Sequence, residues 1–183
     1  MELYKGRPES EAGRLDKEIK VYDFLDSLGI TYERVDHEVV GTIADCEEID
    51  RTLGIEICKN LFLCNRQKTA YYLLLIPGSK ALRTKELSAQ IPTTRLSFGY
   101  GEDMEKYLNV TPGSASVMGL LFDPEQKVQL LVDEEIFTQE EFGCHPCINT
   151  SSIKMRTQDV FEKILPALGR EWITVKLTDG NKE

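Results

Sequence analysis

The sequence predicts an α/β (α+β) fold, a mixed and partly barrel-like β-sheet surrounded by short helices. Strand-like runs alternate irregularly with helical patterns, unlike the regular repeat of a doubly wound parallel sheet. Two neighbouring pairs of strand candidates read as hairpins. No Pro/Gly/Ser linker, composition break or internal repeat divides the chain, and 183 residues of 41% apolar composition suffice for one core. A single domain spanning 1–183 is therefore expected, with flexible ends at 1–12 and 179–183.

Leu15, Ile19, Tyr22, Leu25 and Leu28 recur at helical spacing and stop at Gly29, which predicts an amphipathic helix over 13–28. ITYERV (30–35) alternates like a strand. TIADCEEIDRTLG (42–54) reads as a helix capped by Thr42 and ended by Gly54. IEICKNLFLCN and TAYYLLLIPG form a predicted hairpin across Arg66, Gln67 and Lys68. A helix near 83–90, a strand near 95–100 and a helix over 101–108 follow. The runs SVMGLLFD (116–123) and KVQLLVDEEI (127–136) are expected as strands, TQDVFEKILPALG as a helix and WITVKL as the closing strand.

Composition narrows function. A net charge of −9 argues against binding nucleic acid by bulk electrostatics. The charge is nevertheless divided. Between 54 and 95, Lys59, Arg66, Lys68, Lys80, Arg83, Lys85 and Arg95 face only Glu56 and Glu86, whereas 101–141 is strongly acidic. The basic stretch is either a solvated face or a surface for a phosphate-bearing partner. No run of 18 apolar residues suggests a membrane span, and the charged N-terminus does not read as a signal peptide. Five cysteines without the dense spacing of a disulfide scaffold read as reduced thiols, so a cytoplasmic protein is expected.

Three segments carry candidate chemistry. In IEICKNLFL the strand period sets Lys59 on the face of Ile57, Leu61 and Leu63, so its ammonium must reach solvent or a partner such as a phosphate or carbonyl oxygen. In NVTPGSASVMG, Gly113 accepts unusual dihedrals, and the small residues Ser114, Ala115 and Ser116 let a ligand approach backbone N–H groups; ordinary turn chemistry also accounts for them. It is not a Walker loop. In EEFGCHPCINTSS, Cys144 and Cys147 enclose His145 and Pro146. A zinc half-site lacks a second pair, and a thioredoxin-like redox pair ordinarily opens a helix. A turn that aims the imidazole remains as the third reading.

KNLFL at 59–63, TPGSASVMG at 111–119 and GCHPCINTSS at 143–152 together resemble the YbaK/ProX family of aminoacyl-tRNA deacylases, close to its freestanding prolyl-tRNA editing branch. The resemblance spans roughly residues 15–178. It implies hydrolysis of the ester in mischarged tRNA, most closely alanine on proline tRNA, without a metal or cofactor. By the same resemblance Lys59, with Asn60 beside it, holds the 3′-terminal phosphate and adenosine. Gly113, Ser114, Ala115 and Ser116 cradle the aminoacyl carbonyl, and His145 shapes the amino-acid pocket. The implied partners are the 3′ aminoacyl-adenosine end of mischarged tRNA and prolyl-tRNA synthetase, with oligomeric state open.

Relatives commonly carry His-Pro-x-Val-aromatic-Thr early in the chain. Here DHEVVGT keeps His37 and Thr42 but has Glu38 and Gly41 in place of proline and the aromatic, so Gly41 and Thr42 are the expected residues of one pocket wall. Val117 stands where the loop usually has proline. The alternatives are a deacylase for cysteine or another small amino acid on proline tRNA, and a tRNA- or nucleotide-binding module that hydrolyses nothing.

Overall fold

Residues 1–181 are described in a computed structural model. Among them nine strands form two sheets. The first is antiparallel throughout, in the order β1 (Leu3–Lys5), β2 (Glu33–Asp36), β8 (Ser151–Arg156) and β7 (Glu141–Cys144). The second runs β5 (Leu96–Phe98), β3 (Lys59–Asn65), β4 (Tyr71–Ile76), β6 (Val128–Asp133) and β9 (Trp172–Val175). It is mixed: β3 pairs antiparallel with β4 and β5, whereas β4, β6 and β9 are parallel. The expected mixed α/β architecture is present, and the two sheets do not close into one barrel. Of the expected flexible ends, residues 3–5 form β1 on the edge of the first sheet, and 182 and 183 lie outside the described residues.

The strand β4 shows why the second sheet is central. All six of its residues are buried, with Leu73 and Leu75 in the main core and Tyr72, Leu74 and Ile76 in a second cluster on the opposite face. Each such aliphatic side chain contributes about 1.5–3 kcal/mol by leaving water. The helix α1 (Asp16–Ser27) closes the main core with Val21, Tyr22 and Leu25. It stops where Gly29 takes φ +67°, as its sequence predicts. The second cluster is covered by α3 (Thr84–Ser88) through Leu87.

The helix α2 (Ile43–Leu53) follows its signals closely. Thr42 caps it by accepting from Asp45 N–H, while the Asp45 carboxylate accepts from the Thr42 N–H, a reciprocal capping box. Gly54 ends it at φ +73°. Its Ile49 and Leu53 pack with Val35 of β2 to form a small third core. The helix α4 (Gly101–Leu108) sends Met104 and Leu108 into the main core.

The strand expected at 116–123 is instead a 3₁₀ helix, Val117–Phe122. Ser116 caps it by accepting from Met118 N–H, and Gly119 lies so close to α4 that an added Cβ would stand 2.9 Å from Leu108 Cβ. A continuous apolar run signals burial without fixing the backbone period. The helical segment after β8 divides into α5 (Thr157–Asp159), a π-helical turn (Val160–Ile164) and α6 (Leu165–Ala167). Pro166, in α6, has no N–H to continue an α-helical ladder, and Leu165 N–H reaches back to Val160 C=O.

Candidate functional site

The three segments singled out by sequence converge on one cleft. Lys59 on β3, Gly113 in the loop after α4 and His145 after β7 all line a space of about 380 Å³. Val40, Cys46, Ile49, Ile57 and Gly78 line it as well, together with the carboxylates of Asp50 and Glu56 and the hydroxyl-bearing Ser152. Val40, Ile49 and Ile57, which belong to or pack on the small third core, form the apolar side of the cleft.

Lys59 is the first residue of β3, exposed, and its Nζ donates to the Lys80 carbonyl at 2.9 Å. The strand period therefore works as expected, since a lysine on an apolar face is tolerated at the strand end where it reaches both solvent and an acceptor. Asn60 projects to the other face. Its Oδ1 accepts from Val117 N–H at 2.8 Å, and its Nδ2 donates to Cys58 C=O at 3.3 Å. Asn60 thus ties β3 to the end of the glycine-serine loop rather than lining the cleft.

That loop is built by hydrogen bonds of small side chains. Thr111 N–H donates to Ser114 Oγ at 3.0 Å, Ser114 N–H donates to Thr111 C=O at 2.9 Å, and Ser114 Oγ–H donates to the same carbonyl at 3.0 Å. Ser114 is buried and shapes the loop from within. Gly113 takes φ +91°, a conformation that favours glycine. Buried Ser116 donates its hydroxyl to the His145 carbonyl at 2.6 Å, which joins the loop to the CHPC turn. Ala115 packs against the main core. Among the described residues, the N–H groups of Gly113, Ala115 and Ser116 have no acceptor within the chain.

The imidazole is fixed in one tautomer. His145 Nδ1 lies 2.8 Å from the Ser151 carbonyl, which can only accept, so Nδ1 carries the proton and neutral Nε2 keeps its lone pair. Ser152 Oγ stands 3.4 Å from the same Nδ1 and 2.9 Å from His37 Nε2. His37 Nδ1 faces the Glu38 carbonyl at 2.7 Å and donates to it, so Ser152 Oγ links the two rings. Burial first, and then the neighbouring His37, lower the His145 pKa below its ordinary 6.5, against the opposing pull of the Ser151 carbonyl.

The sign of this shift has a consequence. In the unfolded chain His145 binds a proton below pH 6.5, whereas the folded site resists it, so its contribution to stability is complete above 6.5 and is lost as pH falls towards the folded pKa. An NMR titration of the His145 ring is expected to show its inflection below 6.5. An inflection at or above that value would contradict the effect of burial on His145.

Cys144 and Cys147 serve the turn as buried packing groups. Both are free thiols, Cys147 takes φ +65°, and burial pushes the Cys144 pKa up to about 12 and raises Cys58 and Cys147 further. A thiol so disfavoured as thiolate is a poor nucleophile and a poor redox partner. Among the described residues no group of three or more His, Cys, Asp or Glu is arranged to hold a metal ion.

Two expected wall residues stand apart. Gly41 and Thr42 are exposed at the N-terminal end of α2, engaged in its capping, and neither lines the cleft. The neighbouring Val40 does. The lining residues not expected from the sequence are Val40, Cys46, Ile49, Asp50, Glu56, Ile57, Gly78 and Ser152. Gly78 alone carried a hint, the turn dipeptide Pro77-Gly78; an added Cβ there would lie 2.4 Å from the Ile57 carbonyl.

Comparison with known proteins places the chain in a family. Residues 37–163 match the aminoacyl-tRNA editing domain, and this range contains Lys59, the glycine-serine loop and His145. The prolyl-tRNA editing protein ProX of Acetoanaerobium sticklandii is 31% identical over 163 residues, 89% of this chain and 99% of its own length. Two solved structures share the fold. One is the hypothetical protein APE2540, with TM-score 0.65 and 16% identity over 86% of this chain and 97% of the other. The second, described as a candidate trans-editing enzyme for prolyl tRNA synthetase, has TM-score 0.65 and 14% identity over 91% and 99%. The chain belongs to the aminoacyl-tRNA editing domain family and is an aminoacyl-tRNA deacylase that acts on mischarged tRNA.

Proposed function

We propose that the chain removes alanine from proline tRNA, acting in trans on tRNA mischarged by prolyl-tRNA synthetase. The observation that carries this reading is the convergence of Lys59, Gly113 and His145 on one cleft, whose remaining wall joins the apolar Val40, Ile49 and Ile57 to the carboxylates of Asp50 and Glu56. The editing relative named for prolyl-tRNA supports the choice of tRNA.

In this reading the Lys59 ammonium holds the phosphate of the terminal adenosine, a charge-assisted contact at the rim of the cleft. The aminoacyl ester enters with its carbonyl towards the N–H groups of the 113–116 loop, which stabilise the oxyanion as it develops. Water adds to the carbonyl carbon, assisted by the 2′-hydroxyl of the substrate's own ribose. The bond between that carbon and the ribose 3′ oxygen then breaks, the oxygen takes a proton, and free alanine and tRNA leave. An ester is reactive enough that placing these groups supplies much of the acceleration, and no protein nucleophile is required. Neutral His145 closes the amino-acid end and presents Nε2 as an acceptor.

Exclusion by size sets the specificity, because overlap with a packed wall costs more than space left empty. On proline tRNA charged in turn with alanine, serine, cysteine and proline, alanine is expected to be hydrolysed fastest, serine more slowly, and proline spared. Nothing lies within 4 Å of where a Cβ on Gly41 would sit, so Gly41→Phe can be accommodated beside Val40. That variant, at an exposed position outside the cleft, should leave the substrate range unchanged, whereas His145→Ala should widen it or slow alanine hydrolysis. Preference for cysteine would move the chain to a cysteine-removing role. Protection of the ester without turnover would make it a binding module.

A further inference from the structure

Lys80 is a buried lysine outside the cleft that the proposed chemistry does not use. Its side chain is 5% exposed, and its Nζ lies 2.8 Å from Asp133 Oδ2, 2.9 Å from Glu135 Oε1 and 2.7 Å from the Leu177 carbonyl. Asp133, at the end of β6, is fully buried. Burying such a pair is costly and contributes little net stability compared with apolar side chains of the same volume. Its position relative to the cleft is informative. The carbonyl of the same Lys80 accepts the hydrogen bond from Lys59 Nζ.

The segment carrying that carbonyl is held by a few backbone contacts, among them Gly180 N–H to the Ala81 carbonyl at 3.1 Å, and by the Lys80 side chain. It is the turn after β4, residues 77–80, closed by Lys80 N–H to Pro77 C=O at 3.0 Å. Gly78 of the turn lines the cleft, and the C-terminal segment supports it from behind, with Asn181 Nδ2 donating to the Ser79 carbonyl at 2.9 Å. Lys59 itself is exposed and has four rotatable bonds. Without a fixed acceptor its ammonium would sample a wide arc. With the acceptor anchored through Lys80 to β6, one N–H is committed and the other two remain for an oxyanion.

We infer that the Lys80–Asp133 ion pair is a positioning device for Lys59: it fixes the carbonyl that aims the Lys59 ammonium into the cleft. The inference rests on the reading of Lys59 as the phosphate-binding group. Asp133 and Lys80 are positioning residues and touch no substrate. Glu135 reinforces the pair from the solvent side.

The test is a double-mutant cycle. Single-turnover hydrolysis of alanine-charged proline tRNA is measured for the wild type, Asp133→Asn, Lys59→Ala and the double variant, with Tm recorded for each. Misplacing a binding group by about an ångström costs roughly ten- to hundred-fold. Asp133→Asn is therefore expected to lose about that much in the wild-type background and less than about two-fold when Lys59 is already alanine. Equal losses in both backgrounds, or no loss in either, would overturn the inference. Should Asp133→Asn fail to fold, Glu135→Gln replaces it, with an expected loss of up to about five-fold that again disappears without Lys59.

A second readout does not depend on activity. In ¹H–¹⁵N spectra of lysine ammonium groups, the Lys59 signal should be protected in the wild type and exchange-broadened in Asp133→Asn, or in Glu135→Gln where that variant replaces it. The same signal in both proteins would overturn the positioning role. An inert wild type would refute the functional reading, while this spectrum still decides the coupling between Asp133 and Lys59.

Discussion

Replacing Lys59 by alanine is expected to lower hydrolysis of mischarged tRNA by about ten- to more than hundred-fold, the equivalent of one charge-assisted contact worth roughly 1.5–3 kcal/mol. The side chain is exposed and begins β3, so its removal takes no packing from the core and the fold should be retained. The loss should fall mainly on KM under conditions where substrate dissociates faster than it reacts, because the contact is made to the phosphate in ground and transition states alike. Lys59→Arg is expected to recover part of the activity. Its planar fork carries the charge but does not match a point donor already aimed by the Lys80 carbonyl. Unchanged turnover by folded Lys59→Ala would remove Lys59 from the site.

The contrast between Lys59 and Lys80 shows what the sequence discloses. Lys59 is legible because strand alternation is local: the seven residues 57–63 suffice to set it among Ile57, Leu61 and Leu63. Lys80 follows a Pro-Gly-Ser turn and looks like any surface lysine, and its burial depends on Asp133, 53 residues later. The capped helix α2 was equally local, with Thr42, Asp45 and Gly54 fixing both ends. The strands β7 and β8 went unrecognised because they flank the CHPC turn and begin or end in polar residues. Ser151 and Ser152 become strand residues only by pairing with Asp36 and Val35 of β2. The apolar side of the cleft is hidden for the same reason, since Val40 and Ile49 reach Ile57 only in the folded chain. Of the wall residues expected from the early His-to-Thr segment, Gly41 and Thr42 serve the helix cap, and the adjacent Val40 faces the cleft.

Asn60 lies beside Lys59 in sequence and acts on the opposite face of the strand, where its effect should be of comparable size by a different route. Its Oδ1 is 2.8 Å from the N–H of Val117, a fully buried residue that opens the 3₁₀ helix directly after the glycine-serine loop. Asn60→Ala leaves that N–H without its partner, a cost of about 1–3 kcal/mol, and frees the loop that carries the candidate oxyanion donors. Loosening those donors by about an ångström is worth roughly ten- to hundred-fold in rate. Asn60→Asp keeps an acceptor in the same place but gives up both donations to Cys58, to its C=O and its Sγ, and sets a carboxylate oxygen against that carbonyl, so it should retain the loop bond and lose less of both stability and rate than the alanine variant. Urea unfolding and single-turnover hydrolysis on the two variants separate the possibilities. A tether predicts that stability and rate fall together in Asn60→Ala and recover together in Asn60→Asp. Equal rate losses in both variants with unchanged stability would mean instead that Asn60 contacts the substrate through its amide, and the loop would have to be held by Ser116 and the Thr111–Ser114 bonds alone.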